Sequence, residues 1–233
     1  MSSVAQQGFE IIPDLFDREG MASLIESLDQ MPLQHGRAGV RNALRIESVR
    51  EFAGDSRVLN LASNLLDGDA APFRATFFDK SSRANWLVVW HQDTALPLRE
   101  RRDVKGWGPW SVKEGVTCAH APAYALEQVL AVRIHLDDSD EQNGSLRVLP
   151  QTHKLGVLSD DAIHDLSENI PPVDCFVRAG GVLVMRPLLV HSSSKAKSEG
   201  VHRRVLHIEY AACIAFSDGI ELCTDCAPSR VRA

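Results

Sequence analysis

Trp86-Leu87-Val88-Val89-Trp90-His91-Gln92-Asp93 is an apolar, β-prone run that passes directly into a histidine and an acid two residues apart. Beyond it, residues 94–124 show no clear periodicity and carry Gly106, Gly108, Pro109 and Pro122. The spacing predicts a strand that leaves its sheet at His91-Gln92-Asp93 and opens into a long loop of the kind that forms lids or binding surfaces. Side chains two apart on a strand point to the same side, so His91 and Asp93 share a face. A strand mouth suits a site, because the strand fixes the groups while loops control access.

Around this run the chain keeps the same character. Short β-prone stretches at 73–78, 129–136, 145–149, 175–177, 182–185 and 205–212 alternate with turn residues, among them the polar segment 137–144. Many short strands at such spacing predict an all-β sandwich or barrel core over about 72–212. Helical support precedes it, over about 14–70. A strand at 8–13 is stopped by Pro13. Met21, Leu24, Ile25 and Leu28 recur at helical spacing over 18–30 behind Asp17 as N-cap, and a second helix over 56–66 closes at Asp67-Gly68.

Composition bounds the function. The 233 residues, 44% hydrophobic, suffice for one domain spanning 1–233 with a full core. A net charge of -6 offers no basic footprint for nucleic acid. The polar N-terminus lacks a signal-peptide pattern and no apolar run reaches a membrane span, so a soluble cytoplasmic protein is expected. The five cysteines are scattered, which fits reduced thiols. Oligomeric state is not readable.

His-x-acid spacing alone is common. Nine histidines and 31 acidic residues predict about one such pair by chance, and the chain has three. His135-Leu136-Asp137 ends a strand at a polar turn and His207-Ile208-Glu209 lies in an apolar run, so each reads as an ordinary strand polar group. His91-Gln92-Asp93 differs in context, and the distal His191 supplies a third ligand from another strand. Two histidines and one carboxylate on one face of an octahedron, with the other positions open, is the arrangement of non-heme Fe(II) oxygenases.

Further matches run in order through residues 8–212: Phe78-Asp79-Lys80, Leu136-Asp137-Asp138, Asn143-Gly144-Ser145-Leu146, Val148-Leu149-Pro150, Thr152-His153-Lys154 and Arg203. With His91, Asp93 and His191, this set resembles the phytanoyl-CoA dioxygenase family of Fe(II)- and 2-oxoglutarate-dependent oxygenases. The resemblance implies a mainly β chain with flanking α-helices around a double-stranded β-helix, a cupin-like jelly roll whose open end holds iron. It implies His91, Asp93 and His191 as iron ligands, with 2-oxoglutarate as cosubstrate and O2 at the remaining position. It also implies hydroxylation of a C–H bond of a small molecule, with release of succinate and CO2. Arg203 aligns with the family's cosubstrate arginine, and a guanidinium fork suits a carboxylate. Arg204 would face the opposite way. Lys80 aligns with a lysine that reaches 2-oxoglutarate in family members.

Departures from the family concern the substrate. Gln151 stands where the family has glycine in a Pro-Gly-Ser-His turn, and Arg133 stands where the phytanoyl-CoA hydroxylase carries a tryptophan near the cosubstrate. They give no ground for assuming phytanoyl-CoA as substrate. The resemblance also weighs against halogenation, since halogenases of this superfamily replace the carboxylate that Asp93 supplies. Trp107, Trp110, Lys113 and His120 in the segment 94–124, together with Arg133, are candidates for shaping the substrate pocket.

Two other motifs carry less. Ser192-Ser193-Ser194-Lys195 satisfies S-x-x-K but lacks the helix start and the partner motif that serine acyl-transfer enzymes need. Cys223-Thr224-Asp225-Cys226 is a C-x-x-C pair with no second pair at zinc-finger spacing, and reads as incidental thiols. Three classes stay open from sequence: a 2-oxoglutarate-dependent hydroxylase, a cupin-like metal protein without that cosubstrate, and a catalytically silent ligand-binding jelly roll. Arg203 favours the first over the second, and an intact triad argues against the third.

Overall fold

The computed structural model describes residues 2–30, 39–81, 84–197 and 202–224. The chain begins with helix α1 (Ser3–Gln7), strand β1 (Phe9–Ile12) and helix α2 (Arg18–Asp29). α2 starts where expected, with the Asp17 carboxylate accepting from the Gly20 amide at 2.7 Å, and it buries Met21, Leu24 and Leu28. Helices α3 (Glu47–Ala53) and α4 (Ser56–Leu66) follow. α4 ends on Asp67, which itself takes the left-handed conformation at φ 56°, so the stop belongs to the aspartate and not to Gly68. Aspartate tolerates this region better than most side chains.

The strands that follow are β2 (Ala71–Lys80), β3 (Val88–His91), β4 (Ala95–Pro97), β5 (Trp110–Lys113) and β6 (Val116–His120). Helix α5 (Ala123–Leu126), strands β7 (Val129–His135) and β8 (Leu146–Val148), helix α6 (Asp160–Asn169) and strands β9 (Val173–Cys175), β10 (Val182–Met185), β11 (His191–Ser193) and β12 (Arg203–Ala211) complete the order. A five-stranded sheet, β1-β10-β7-β12-β2, faces a four-stranded sheet, β3-β11-β8-β9, and every pairing is antiparallel. This is the jelly roll the resemblance implied.

The larger sheet is buried on both faces, which is why β7 reads as an almost unbroken apolar run. Leu130, Val132 and Ile134 point outward with Leu206, Ile208 and Phe77 and pack against Met21, Leu24, Val49 and Val58 of the helices. Ala131, Leu183 and Met185 point inward and meet Leu146, Val148 and Cys175 from the smaller sheet and Leu189 just before β11. On that inward face of β7 the exceptions to apolar character are Arg133 and His135, both buried. The outer side of the smaller sheet is covered by α6, whose Ile163 packs with Leu149 and Val190.

Segment 94–124 is more ordered than its composition predicts. It forms a third antiparallel sheet, β4-β6-β5, and the helix α5. Its strands are too short for a periodic signal, and β5 is half-exposed or exposed along its length. The β5–β6 connection is a two-residue hairpin at Glu114-Gly115, with φ 52° and 80°, the positive values a type I′ turn requires. The sheet packs through Leu96 and Ala119, with Leu98 just past β4, on Leu126, Val129, Phe216 and Ile220.

One thiol expectation is corrected: Cys118, Cys175 and Cys213 are free, but Cys223 is disulfide-bonded. Scatter along the whole chain says nothing about a pair as close as C-x-x-C, whose second cysteine, Cys226, lies outside the described residues. Among the described residues no helix is long and apolar enough to cross a membrane.

Candidate metal centre

The two sheets open at one end into a cavity of about 490 Å³, lined on one side by Arg74, Thr76, Phe78, Arg133, Arg203, His207 and Glu209 of the larger sheet. His91, Asp93 and His191 line the other side. Register brings the histidines together: His191 of β11 is the antiparallel partner of His91 on β3. Asp93 follows just past the end of β3, its amide donating to the Pro187 carbonyl at 2.9 Å. The intervening Gln92 is buried and ties two loops together, donating to Leu188 and Gly156 carbonyls and accepting from the Leu158 amide. The reading from sequence missed this residue, because a glutamine between two ligands carries no signal of its own.

Potential ligand atoms of His91, Asp93 and His191 all lie within 4.8 Å of one another, and among the described residues no other such group occurs. Each imidazole has its Nδ1 2.9 Å from the carbonyl two residues earlier, Val89 for His91 and Leu189 for His191. A carbonyl only accepts, so Nδ1 carries the hydrogen and Nε2 is left as the lone-pair donor. Both Nε2 atoms face Asp93, at 3.6 Å and 3.5 Å from its carboxylate oxygens. Burial, with His91 beside it, pushes His191 down to about 4, so it stays neutral as a metal ligand must. Burial alone would raise the Asp93 carboxyl, but His191 and His91 hold it well below the usual carboxylate range. His91 shifts the other way: against its burial the Asp93 carboxylate raises it, so a metal at its Nε2 takes the place of that proton. Two imidazole nitrogens and one ionised oxygen on adjoining strand ends fit a divalent first-row metal with open positions.

Arg203 and Arg204 diverge as strand alternation requires. Arg204 binds Asp137 through two side-chain nitrogens and Asp29 at 2.7 Å on the outer face. Arg203 turns inward, is 3% exposed, and its Nε and one terminal nitrogen have no hydrogen-bond partner. A buried guanidinium with orphaned donors fits an anion such as the far carboxylate of 2-oxoglutarate. Lys80 pairs with Arg203 across β2 and β12 but is outside the cavity lining; its ammonium donates to Ser193 Oγ at 2.8 Å and the Ser194 carbonyl at 2.6 Å. Ser192–Lys195 accordingly lies on and just beyond β11, with no helix start.

Of the pocket candidates, Lys113, His120 and Arg133 line the cavity. Trp107 and Trp110 do not. Trp107 is buried against Phe216, its indole N–H donating to Asp218 at 2.7 Å, and Trp110 packs on the same cluster with Arg101 over its ring. Both packing the loop and shaping a pocket call for large aromatics, so the sequence signal did not separate them. The other two His-x-acid pairs stay out of the ligand cluster. Asp137 is held by Arg204, and Glu209 forms a bidentate pair with Arg74. Sequence reading missed Arg74, Thr76, Phe78 and His207 as cavity residues, although their period-two placement on β2 and β12 was a usable signal.

Comparison with known proteins supplies the lineage. No curated protein matches the chain. Among solved structures it is similar to the non-heme alpha ketoglutarate dependent carbocyclase SnoK from nogalamycin biosynthesis, at TM-score 0.68 and 17% identity over 90% of this chain and 81% of that one. It is similar to EctD from S. alaskensis with 2-oxoglutarate and 5-hydroxyectoine, at 0.68 and 17% over 90% and 74%. It is also similar to HygX from Streptomyces hygroscopicus with nickel, 2-oxoglutarate and hygromycin B bound, at 0.66 and 18% over 91% and 86%. At these identities the likeness establishes the fold. The family model for phytanoyl-CoA dioxygenase (PhyH) matches residues 5–205, and the chain belongs to that family, within the Fe(II)/2-oxoglutarate-dependent oxygenase superfamily.

Proposed function

We propose that the protein is a dioxygenase that uses Fe(II), 2-oxoglutarate and O2 to hydroxylate a C–H bond of a small molecule, releasing succinate and CO2. The observation that carries this reading is the shared cavity: a two-histidine, one-aspartate cluster on one wall and, on the other, the guanidinium of Arg203, which has no carboxylate partner among the described residues. A cupin-like metal site has no use for such a cation. A silent binding domain has none for the cluster.

In this reading His91, Asp93 and His191 hold the iron, and Arg203 holds the far carboxylate of the cosubstrate. Bound Fe(II) supplies the activation of O2 that is coupled to oxidative decarboxylation of 2-oxoglutarate. The chain supplies position and dryness. The main-chain carbonyls of Val89 and Leu189 fix both imidazole tautomers, and Gln92 anchors the turn that aims Asp93. Phe78, Trp86, Val88 and Leu146 line the cavity with apolar surface that limits water. Thr94, Lys113 and His120 line it on the side of the third sheet, where they contact the substrate, with the Thr94 hydroxyl 2.6 Å from His120 Nδ1. The SnoK carbocyclase shares this fold, so ring closure is the alternative outcome of the same C–H chemistry.

The test is anaerobic titration of metal-free protein with Fe(II) and 2-oxoglutarate, followed by visible absorption. The proposal expects the weak metal-to-ligand charge-transfer band of the chelate, and its absence at saturation overturns it.

A further inference from the structure

Arg133 is a second buried cation in the same cavity. It stands on β7 opposite His207 of β12, on the inward face that also carries Arg203 four residues before His207, at the start of β12. It is 7% exposed, and its Nε has no hydrogen-bond partner. One terminal nitrogen lies 2.9 Å from His207 Nδ1, and the guanidinium carbon sits 5.5 Å from the Phe78 ring centroid. Neither neighbour neutralises it. Burial, with Arg133 beside it, holds His207 down at about 3, so that imidazole is a neutral acceptor. His135, next on the same face, is likewise kept neutral by burial and by the two arginines.

Among the described residues neither Arg133 nor Arg203 has a carboxylate within salt-bridge distance, whereas the adjacent inward pair, Arg74 and Glu209, is fully matched. Burial and mutual repulsion lower Arg203 to about 9, and the Arg133 guanidinium is lowered by burial against the opposing pull of Asp93. Arg133 therefore lies within the electrostatic reach of both the metal cluster and Arg203. Two buried guanidinia in one cavity of this size, each with an unpartnered Nε, are a costly arrangement unless negative charge enters with the ligand. One carboxylate matches one of them. A dicarboxylate matches both.

We propose that Arg133 acts with Arg203 on the two carboxylates of a single bound dicarboxylate, so that the cavity takes up dicarboxylate dianions without metal. The inference rests on the cosubstrate reading above. Arg203 grips the far carboxylate, and Arg133 faces the carboxylate nearer His91, Asp93 and His191. Arg133 is a positioning residue: it aligns the end of the cosubstrate that reaches the metal cluster. Succinate, the dicarboxylate product, is held by the same two residues and competes with fresh cosubstrate.

The experiment is calorimetric titration of EDTA-treated protein with succinate, 2-oxoglutarate and, as monoanion control, butyrate. Wild type is expected to bind both dicarboxylates and to bind butyrate at least tenfold more weakly. Arg133→Gln and Arg203→Gln should each weaken succinate roughly 10- to 100-fold, the loss of one charge-assisted pair. Arg133→Met, which keeps the apolar stem, carries the test if the glutamine variant does not fold. Loss in Arg203→Gln alone, or equal affinity for butyrate and succinate, overturns the role of Arg133 while leaving the oxygenase reading intact. A missing charge-transfer band in wild type with Fe(II) and 2-oxoglutarate overturns the latter instead.

Discussion

His191 on β11 stands directly opposite His91 on β3, and their ring centroids lie 4.2 Å apart. Antiparallel pairing brings two distant residues to one point, and the backbone turn after His91 adds Asp93 as the third corner. The strands fix the separation of the imidazoles before any ion binds. A metal bound there meets ligands that need little reorganisation.

Asp93→Ala should therefore remove 2-oxoglutarate-dependent succinate formation while leaving the fold in place. The Asp93 side chain is 31% exposed and packs no core, so melting temperature and near-UV circular dichroism should stay close to wild type. Among the described residues the acids of the other two His-x-acid pairs are not free to replace it. Asp137 is committed to Arg204 and Glu209 to Arg74. Succinate formation at the wild-type rate in this variant would place the metal elsewhere.

The adjacent arginines give opposite expectations. Arg203→Ala should raise the 2-oxoglutarate concentration needed for half-maximal turnover by roughly 10- to 100-fold with little loss of stability, because among the described residues its donors have no carboxylate to lose. Arg204→Ala should leave that requirement unchanged and cost about 1–2 kcal/mol of stability, since it breaks a partly buried two-acid network. Chemical denaturation and cosubstrate titration of both variants separate the two roles. A reversal would mean that the strand faces inward at Arg204.

How far these features were legible follows from the periods involved. β10 was read at its true ends and β7 to within one residue, because a central strand buried on both faces is a continuous apolar run bounded by turns. The triad was legible because its spacing coincided with a strand end and a distal His191. The third sheet was not, since strands as short as Ala95–Pro97 give no period to detect. Helix α6 was also missed, although Ser159 followed by Asp160 and Asp161 is a helix start by its chemistry, with Ser159 Oγ accepting from the Ala162 amide. Trp107 and Trp110 went astray for a different reason: an aromatic packed under a loop and one facing a ligand look alike in sequence.

Lys80 makes stability depend on pH in an unusual direction. Burial, with Arg203 and Arg133 nearby, lowers its ammonium to about 7, against an ordinary value of 10.5 in the unfolded chain. Between those values the unfolded chain binds the extra proton, so stability rises with pH, by up to about 1.4 kcal/mol per unit, and levels off above the unfolded value. Below pH 7 the folded state carries the charge and the gain is gone. Denaturation midpoints of the metal-free protein from pH 7 to 9 should increase, and Lys80→Met should flatten that slope. An identical slope in the variant would assign it to another group.

Gln151 carries the last consequence of a departure from the family. It occupies φ 69° at the entrance to the short turn Thr152–Leu155, with its amide donating to the Gln7 carbonyl at 2.9 Å. A side chain in this region crowds its own backbone, and glycine does not. The glycine usual at this point in the family is thus a conformational requirement, which this chain meets with strain. Gln151 is exposed, so its side chain buries nothing that offsets the strain. Gln151→Gly should stabilise the protein by about 0.5–1 kcal/mol, net of the greater freedom glycine gives the unfolded chain, with cosubstrate affinity unchanged. A fall in the melting temperature would show that the glutamine side chain supplies a compensating contact on the turn that leads into α6.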